Sequence, residues 1–105
     1  MEIKNLLAWL GVTRSYKGYQ PMVDYIAQAL HNEQSLQHAT KQYAAISKAH
    51  GCNEKALEKN LRTVVKRAWE THPERVQKLS GYDSFKQPTT TEFVDMCITY
   101  LLRNS

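Results

Sequence analysis

Four basic side chains, Lys55, Lys59, Arg62 and Lys66, follow one another at spacings of four, three and four within GCNEKALEKNLRTVVKRAW, residues 51–69. On an α-helix turning about 100° per residue they share an arc of roughly 60°, with Glu58 on its flank. Leu57, Leu61, Val64, Val65 and Ala68 fall between about 180° and 280° from Lys55, nearly opposite. Burying the apolar stripe therefore turns the basic ridge into solvent. A ridge of fixed positive charge attracts the phosphates of a polyanion, and its Lys and Arg heads can reach acceptors on base edges. The like-charged i, i+4 pair Lys55–Lys59 costs on the order of a few tenths of a kcal/mol in an isolated helix, and a bound polyanion relieves that cost. A charged stripe opposite an apolar one is also what an ordinary surface helix shows, so the preceding segment decides how much weight the ridge carries.

That segment predicts a helix from about Thr40 to His50, burying Tyr43, Ala44 and Ile46 and stopping at Gly51, and then Asn53 as the N-cap of the ridge helix. Two helices joined by a tight turn in which Gly takes a positive φ make a helix-turn-helix, here about residues 40–69. In such a unit the second helix presents its N-terminal side chains to the major groove of DNA. Lys55, Glu58 and Lys59 occupy its first two turns, and Arg62 and Lys66 follow. Lys17 and Tyr19 sit where a loop meets the second helix and are candidates for the DNA backbone; packing and capping of that helix is the alternative for Tyr19. Arg67 and Lys41 read as solvated, and Trp9 and Trp69 as core.

The elements that must hold this unit are all helical, since apolar residues recur at three and four with no alternating strand pattern. Glu2–Leu10 makes a first helix closed by Gly11. A second opens at Pro21, in the first turn, and runs to about His31 with Met22, Tyr25, Ile26, Ala29 and Leu30 inward. The ridge helix continues past Trp69 and at most to Pro73, and a short helix from Pro73 to about Leu79 precedes a break at Ser80-Gly81. The last helix, Thr91–Arg103, follows a capping signature of Thr89 or Thr90 with Glu92. The expected architecture is a compact all-α domain of six helices spanning residues 1–105.

The last helix is more apolar than a terminal surface helix needs. Phe93, Val94, Ile98 and Leu101 are candidates for a self-association patch, with deeper core burial as the alternative.

Composition excludes several other classes. No apolar run approaches the ~18 residues of a membrane span, and the N-terminal MEIKNLLAWLG lacks the cleavage site of a signal peptide, so a cytoplasmic protein is expected. Cys52 and Cys97 belong to no C-x-x-C unit, and a lone thiol is the simpler state for each. His31, His38, His50 and His72 form no metal-binding array; His50 reads as a partly buried neutral imidazole. No nucleophile, base and orienting acid cluster, and no glycine-rich phosphate loop occurs. Neither catalysis, nor a cofactor, nor a small-molecule substrate is expected. The charge is uneven: residues 41–78 carry nine basic and four acidic side chains, while the flanking segments are neutral or slightly acidic. One face meeting a polyanion accounts for that distribution.

Several pieces of the chain, in order, resemble a known family. They are Gly11-Val12 followed by Lys17-Gly18-Tyr19, the helix-turn-helix ending in Ala68-Trp69, the pair Gly81-Tyr82, and Pro88-Thr89 followed by Thr91-Glu92-Phe93. Together they resemble the DNA-binding effector domain of the sporulation-initiation response regulators of endospore-forming bacteria, from about Leu6 to Leu102. The resemblance implies a six-helix fold whose third and fourth helices read double-stranded DNA. It also implies a transcription factor that binds a short GC-containing promoter box, as a tandem pair, to activate or repress. It places Glu58 and Arg62 at positions where the family has a base-reading glutamate and an arginine. Lys59 and Ala56 stand where it has base-reading arginines, so the box read here is expected to differ or to be read less stringently. It further implies contact between neighbouring domains through the last helix, and a contact of the Pro73–Leu79 region with a sigma subunit of RNA polymerase. In the family a receiver domain precedes this one; nothing here resembles a receiver, so the chain is expected to be an effector domain separated from its receiver or naturally without one. The competing class is an adaptor or anti-regulator on the same fold that has lost specific DNA binding.

Overall fold

A computed structural model describes residues 2–32, 39–80 and 86–104. The described residues form six helices: α1 (Ile3–Trp9), α2 (Tyr19–His31), α3 (Ala39–Ala49), α4 (Glu54–Thr71), α5 (Pro73–Ser80) and α6 (Thr90–Arg103). The centre is made by α2, α4 and α6 packing on one another, with α1 and α3 against α2, α3 also against α4, and α5 against α4 and α6. The radius of gyration of 12.7 Å matches the ~13 Å of a chain this long folded around one core.

The helix ends follow local chemistry. Both α1 and α3 close in the same way, with a glycine at positive φ, Gly11 at +87° and Gly51 at +65°. Val12 N–H donates to the Leu7 carbonyl (2.9 Å) and Gly11 N–H to Ala8 (3.0 Å); Cys52 N–H donates to Ser47 (3.0 Å) and Gly51 N–H to Lys48 (3.3 Å). This paired pattern satisfies carbonyls that a helix end otherwise leaves open. At the start of α4 the Asn53 side chain accepts from Ala56 N–H at 2.8 Å. The end comes at Thr71, because His72 precedes Pro73 and is driven out of the helical region (φ −140°, ψ 66°). Other open carbonyls are met by arginines from elsewhere: Arg75 donates to Trp9 O at 2.6 Å and Arg103 to Leu79 O at 3.1 Å.

Two expectations about these helices need correction. Helix α2 starts at Tyr19, two residues before Pro21. A proline's missing N–H costs nothing anywhere in the first turn, where the N–H groups have no helical partner. Ala44 is exposed; Tyr43 and Ile46 face inward as expected, joined by Ser47 and, just past the helix, His50. The buried Ser47 is accommodated because its hydroxyl donates to the Ala44 carbonyl at 3.0 Å. His50 is partly buried as expected, and its Nε2 lies 2.6 Å from Asp24 Oδ2, tying the end of α3 to α2. The break at Ser80-Gly81 and the Gly81-Tyr82 pair fall at or in residues 81–85, outside the described residues, as does His38.

Helix α6 is capped by Thr89, whose hydroxyl accepts from Glu92 N–H at 3.1 Å while the Glu92 carboxylate accepts from Thr89 N–H at 2.9 Å. That backbone donor holds the Glu92 carboxyl below its ordinary value of 4.5. Its contribution is therefore present above the unfolded carboxyl range and is lost as pH falls through the lower folded value. Thr89→Ala is expected to cost about 1 kcal/mol in urea unfolding at neutral pH. Glu92→Gln is expected to flatten the acid limb of the stability–pH curve measured in the same way.

Candidate nucleic-acid interface

Helix α4 realises the two-stripe geometry. Leu57, Leu61, Val64, Val65 and Ala68 are buried, while Lys55, Glu58, Lys59, Arg62 and Lys66 are all exposed. At about 2 kcal/mol for each buried Leu or Val, the apolar stripe outweighs the few tenths lost to Lys55–Lys59 repulsion by roughly an order of magnitude. The rotation of α4, and with it the direction of the ridge, is set by the stripe. On the ridge itself the Arg62 guanidinium donates to the Glu58 carboxylate one turn back, with the two side chains 64% and 50% exposed.

Helix α3 braces α4 from one side. Its Tyr43 ring meets the Tyr25 ring of α2 edge-on at 5.7 Å. Burial pushes both phenols up and keeps them neutral. The Tyr25 hydroxyl is buried; the Thr91 side chain faces it from α6 without a well-formed hydrogen bond. Between this group and α6 lies a cleft of about 410 Å³ lined by Tyr43, Glu58, Arg62 and residues 87–91.

The other side of α4 is met by the α1–α2 loop. Gly18 is buried against the α4 backbone so closely that a Cβ there would sit 2.3 Å from the Asn60 carbonyl oxygen and 2.9 Å from Val64 Cγ2. Two residues earlier the Tyr16 ring lies 5.7 Å beneath the Arg67 guanidinium, a cation–π contact from loop to helix. Lys17 projects between them, exposed.

A family model described as Sporulation initiation factor Spo0A C terminal matches residues 3–101. The chain belongs to that family. It is a family of DNA-binding effector domains acting in transcription regulation and sporulation, not of enzymes. No curated protein matches the chain. The helix-turn-helix of α3 and α4 is the arrangement consistent with this membership.

Against this background the expected site residues divide. Lys55, Glu58, Lys59, Arg62 and Lys66 come together on one exposed face, and Lys17 lies on the loop that flanks it. Tyr19 is 7% exposed and belongs to the core cluster, so packing, the alternative, describes it. Phe93, Val94, Ile98 and Leu101 are 0–4% exposed inside the same core. They do not form a surface patch, because α6 packs against α2, α4 and α5 at once and buries apolar residues on several sides. Arg67 is not simply solvated, given its place over Tyr16. Trp9 and Trp69 are half-buried at the edge of the core, Trp9 stacked on Tyr100 at 5.9 Å. Both cysteines are free; Cys97 is buried, which pushes its thiol up, and Cys52 is half-buried in the turn. Among the described residues no three metal-ligating side chains converge, and no helix is long and apolar enough to cross a membrane.

Two glycines of the interface are needed for different reasons, and substitution separates them. At Gly51 the demand is positive φ, with nothing within 4 Å of a Cβ. Gly51→Asn is expected to be nearly neutral, since Asn adopts that region, and Gly51→Ala to cost about 1 kcal/mol. At Gly18 the demand is space, so Gly18→Ala and Gly18→Asn should both cost about 1–3 kcal/mol in urea unfolding. Amide chemical-shift changes should centre on Asn60 and Val64.

Proposed function

We propose that this chain is a sequence-specific transcriptional regulator that reads a short promoter box by inserting the N-terminal half of α4 into the DNA major groove. The observation that carries the proposal is the opposition of stripes on one helix: a wholly buried apolar side and an exposed side of Lys55, Glu58, Lys59, Arg62 and Lys66. The Glu58 carboxylate suits a cytosine amino group, and the Arg62 fork suits the two acceptors of guanine. The Lys59 ammonium is a point charge that contacts one acceptor or a phosphate. Ala56, half-buried beside the cap, brings no polar group to the bases. Each bidentate contact missing relative to the family pattern removes roughly 1–3 kcal/mol of discrimination. The preferred box accordingly differs from the family's or is read less stringently.

Tandem copies on DNA, and a contact of α5 with a sigma subunit of RNA polymerase, are the partner arrangements that the resemblance implies. Neighbouring copies would meet through side chains other than Phe93, Val94, Ile98 and Leu101, which the core consumes.

Selection of bound sequences from a random duplex pool tests the reading. Enrichment of a short GC-containing box is expected. Lys59→Ala combined with Arg62→Ala should leave the helical circular-dichroism spectrum and melting transition intact, since both side chains are exposed, and should abolish the enrichment. Retained specific affinity in that variant would move the interface to another surface. No enrichment by the wild-type domain would favour the adaptor reading.

A further inference from the structure

A helix of ~10–12 Å diameter fills a major groove ~12 Å wide, so both of its flanks must come up against a sugar–phosphate strand. The two flanks of α4 are not alike. The cleft on the flank toward α3 and α6 is lined by Glu58 and Arg62, which pair with each other, and ends at Thr89–Thr91, where the capping box holds Glu92. The flank toward the α1–α2 loop opens into a groove of about 280 Å³ lined by Ser15, Tyr16, Lys17, Gly18, Asn60 and Thr63, with no carboxylate among them. On α4, Thr63, Arg67 and Asn60 lie about 80–140° around from Lys55, between the ridge and the buried stripe. The groove therefore adjoins the ridge directly.

The donors around that groove can be followed atom by atom. Thr63 Oγ1 donates to the Lys59 carbonyl at 3.0 Å, so its proton is spent within the helix. Thr13 Oγ1 and Ser15 Oγ lie 2.6 Å apart, one hydroxyl donating to the other. Lys17 is exposed and brings a basic side chain to the groove. The loop is held rigidly for its length: Tyr16 N–H bonds to Thr13 O at 3.3 Å and Tyr19 N–H to Tyr16 O at 3.0 Å. Gly18 abuts the Asn60 carbonyl and Tyr16 lies under Arg67. Two independent contacts thus fix the loop to the very helix that carries the ridge.

We infer that the loop 13–18 is a clamp for the sugar–phosphate backbone of the duplex whose bases α4 reads, with Lys17 as the phosphate contact and Tyr16 and Gly18 as the residues that position it. The clamp rests on the DNA-reading proposal and adds an orientation to it: the strand along this flank is gripped by Lys17 with no carboxylate in the groove, whereas the opposite flank meets its strand at the Glu58–Arg62 pair. Gly18 is then required by function as well as by packing, because any side chain there would lift Lys17 away from α4.

The test is a salt titration of binding to two duplexes, one bearing the selected box and one of unrelated sequence. Lys17→Ala should weaken both by the same factor and reduce the slope of log affinity against log salt by about one unit. Lys17→Arg should restore the slope, and neither variant should alter the bases selected. Tyr16→Phe, which keeps the ring under Arg67, should match wild type, whereas Tyr16→Ala should lose part of the slope while remaining folded by circular dichroism. An unchanged slope in Lys17→Ala with wild-type binding intact would overturn the clamp and leave groove reading by α4 standing. A shifted base preference in Lys17→Ala would make Lys17 a base contact and overturn the clamp equally. Wild-type protein that binds neither duplex would sink both readings together.

Discussion

The arrangement depends on the burial of one stripe. Leu57, Leu61, Val64, Val65 and Ala68 give α4 a single rotational setting, since turning the helix by one residue would bring about 100° of charged surface into the core. Burial of the four larger residues is worth roughly 6–12 kcal/mol, comparable with the whole net stability of a domain this size. No pair of surface charges can compete with that. The exposed ridge is therefore a by-product of core packing, and its geometry is as rigid as the core.

Rotation alone does not make an interface; the translation and tilt of α4 must also be held. Its start is pinned by Asn53 and by the glycine turn from α3, its middle by Gly18 against the Asn60 carbonyl, and its end by the break before Pro73. Gly11 belongs to the same set, because a Cβ there would press on Thr71 and His72 at the end of α4. Among the described residues Gly51, Gly18 and Gly11 thus act on one helix at its start, middle and end. The Asp24–His50 contact adds a polar tie between α2 and the turn. In the proposed complex, a helix so fixed would meet DNA with little ordering entropy left to lose.

Elements with a strict period were legible in the sequence. The two stripes of α4, the Asn53 cap, the Gly11 and Gly51 stops and the Thr89–Glu92 capping box are all local patterns, and each is present. The inward face of α3 was legible only in part: Tyr43 and Ile46 follow the period, but Ser47 is buried with the help of a carbonyl three residues back, and His50, just past the helix, is held by Asp24, 26 positions away. Helix α6 misled for the opposite reason. A helical wheel assumes one neighbour, and a helix with three neighbours can bury Phe93, Val94, Ile98 and Leu101 without a surplus. On the site, the ridge could be read from spacing, but the loop flank could not. That Gly18 touches the α4 backbone, or that Tyr16 lies under Arg67, is a long-range contact with no local signal.

The ion pair on the ridge bears on what kind of reader α4 makes. In the free protein Arg62 is already engaged by Glu58, and the pair is exposed on both sides, so it holds at most about 1 kcal/mol. A bidentate arginine–guanine contact contributes roughly 1–3 kcal/mol of discrimination, enough to draw the guanidinium off its carboxylate at the correct step and not at a wrong one. In the proposed complex the intrahelical pair would act as a threshold: a base that offers less than the pair would leave Arg62 on Glu58. Lys55, Lys59 and Lys66 have no such competitor among the ion pairs of the described residues, and they attract any phosphate alike. In the proposed complex, affinity comes mainly from the lysines and selectivity from the two residues that hold each other in its absence.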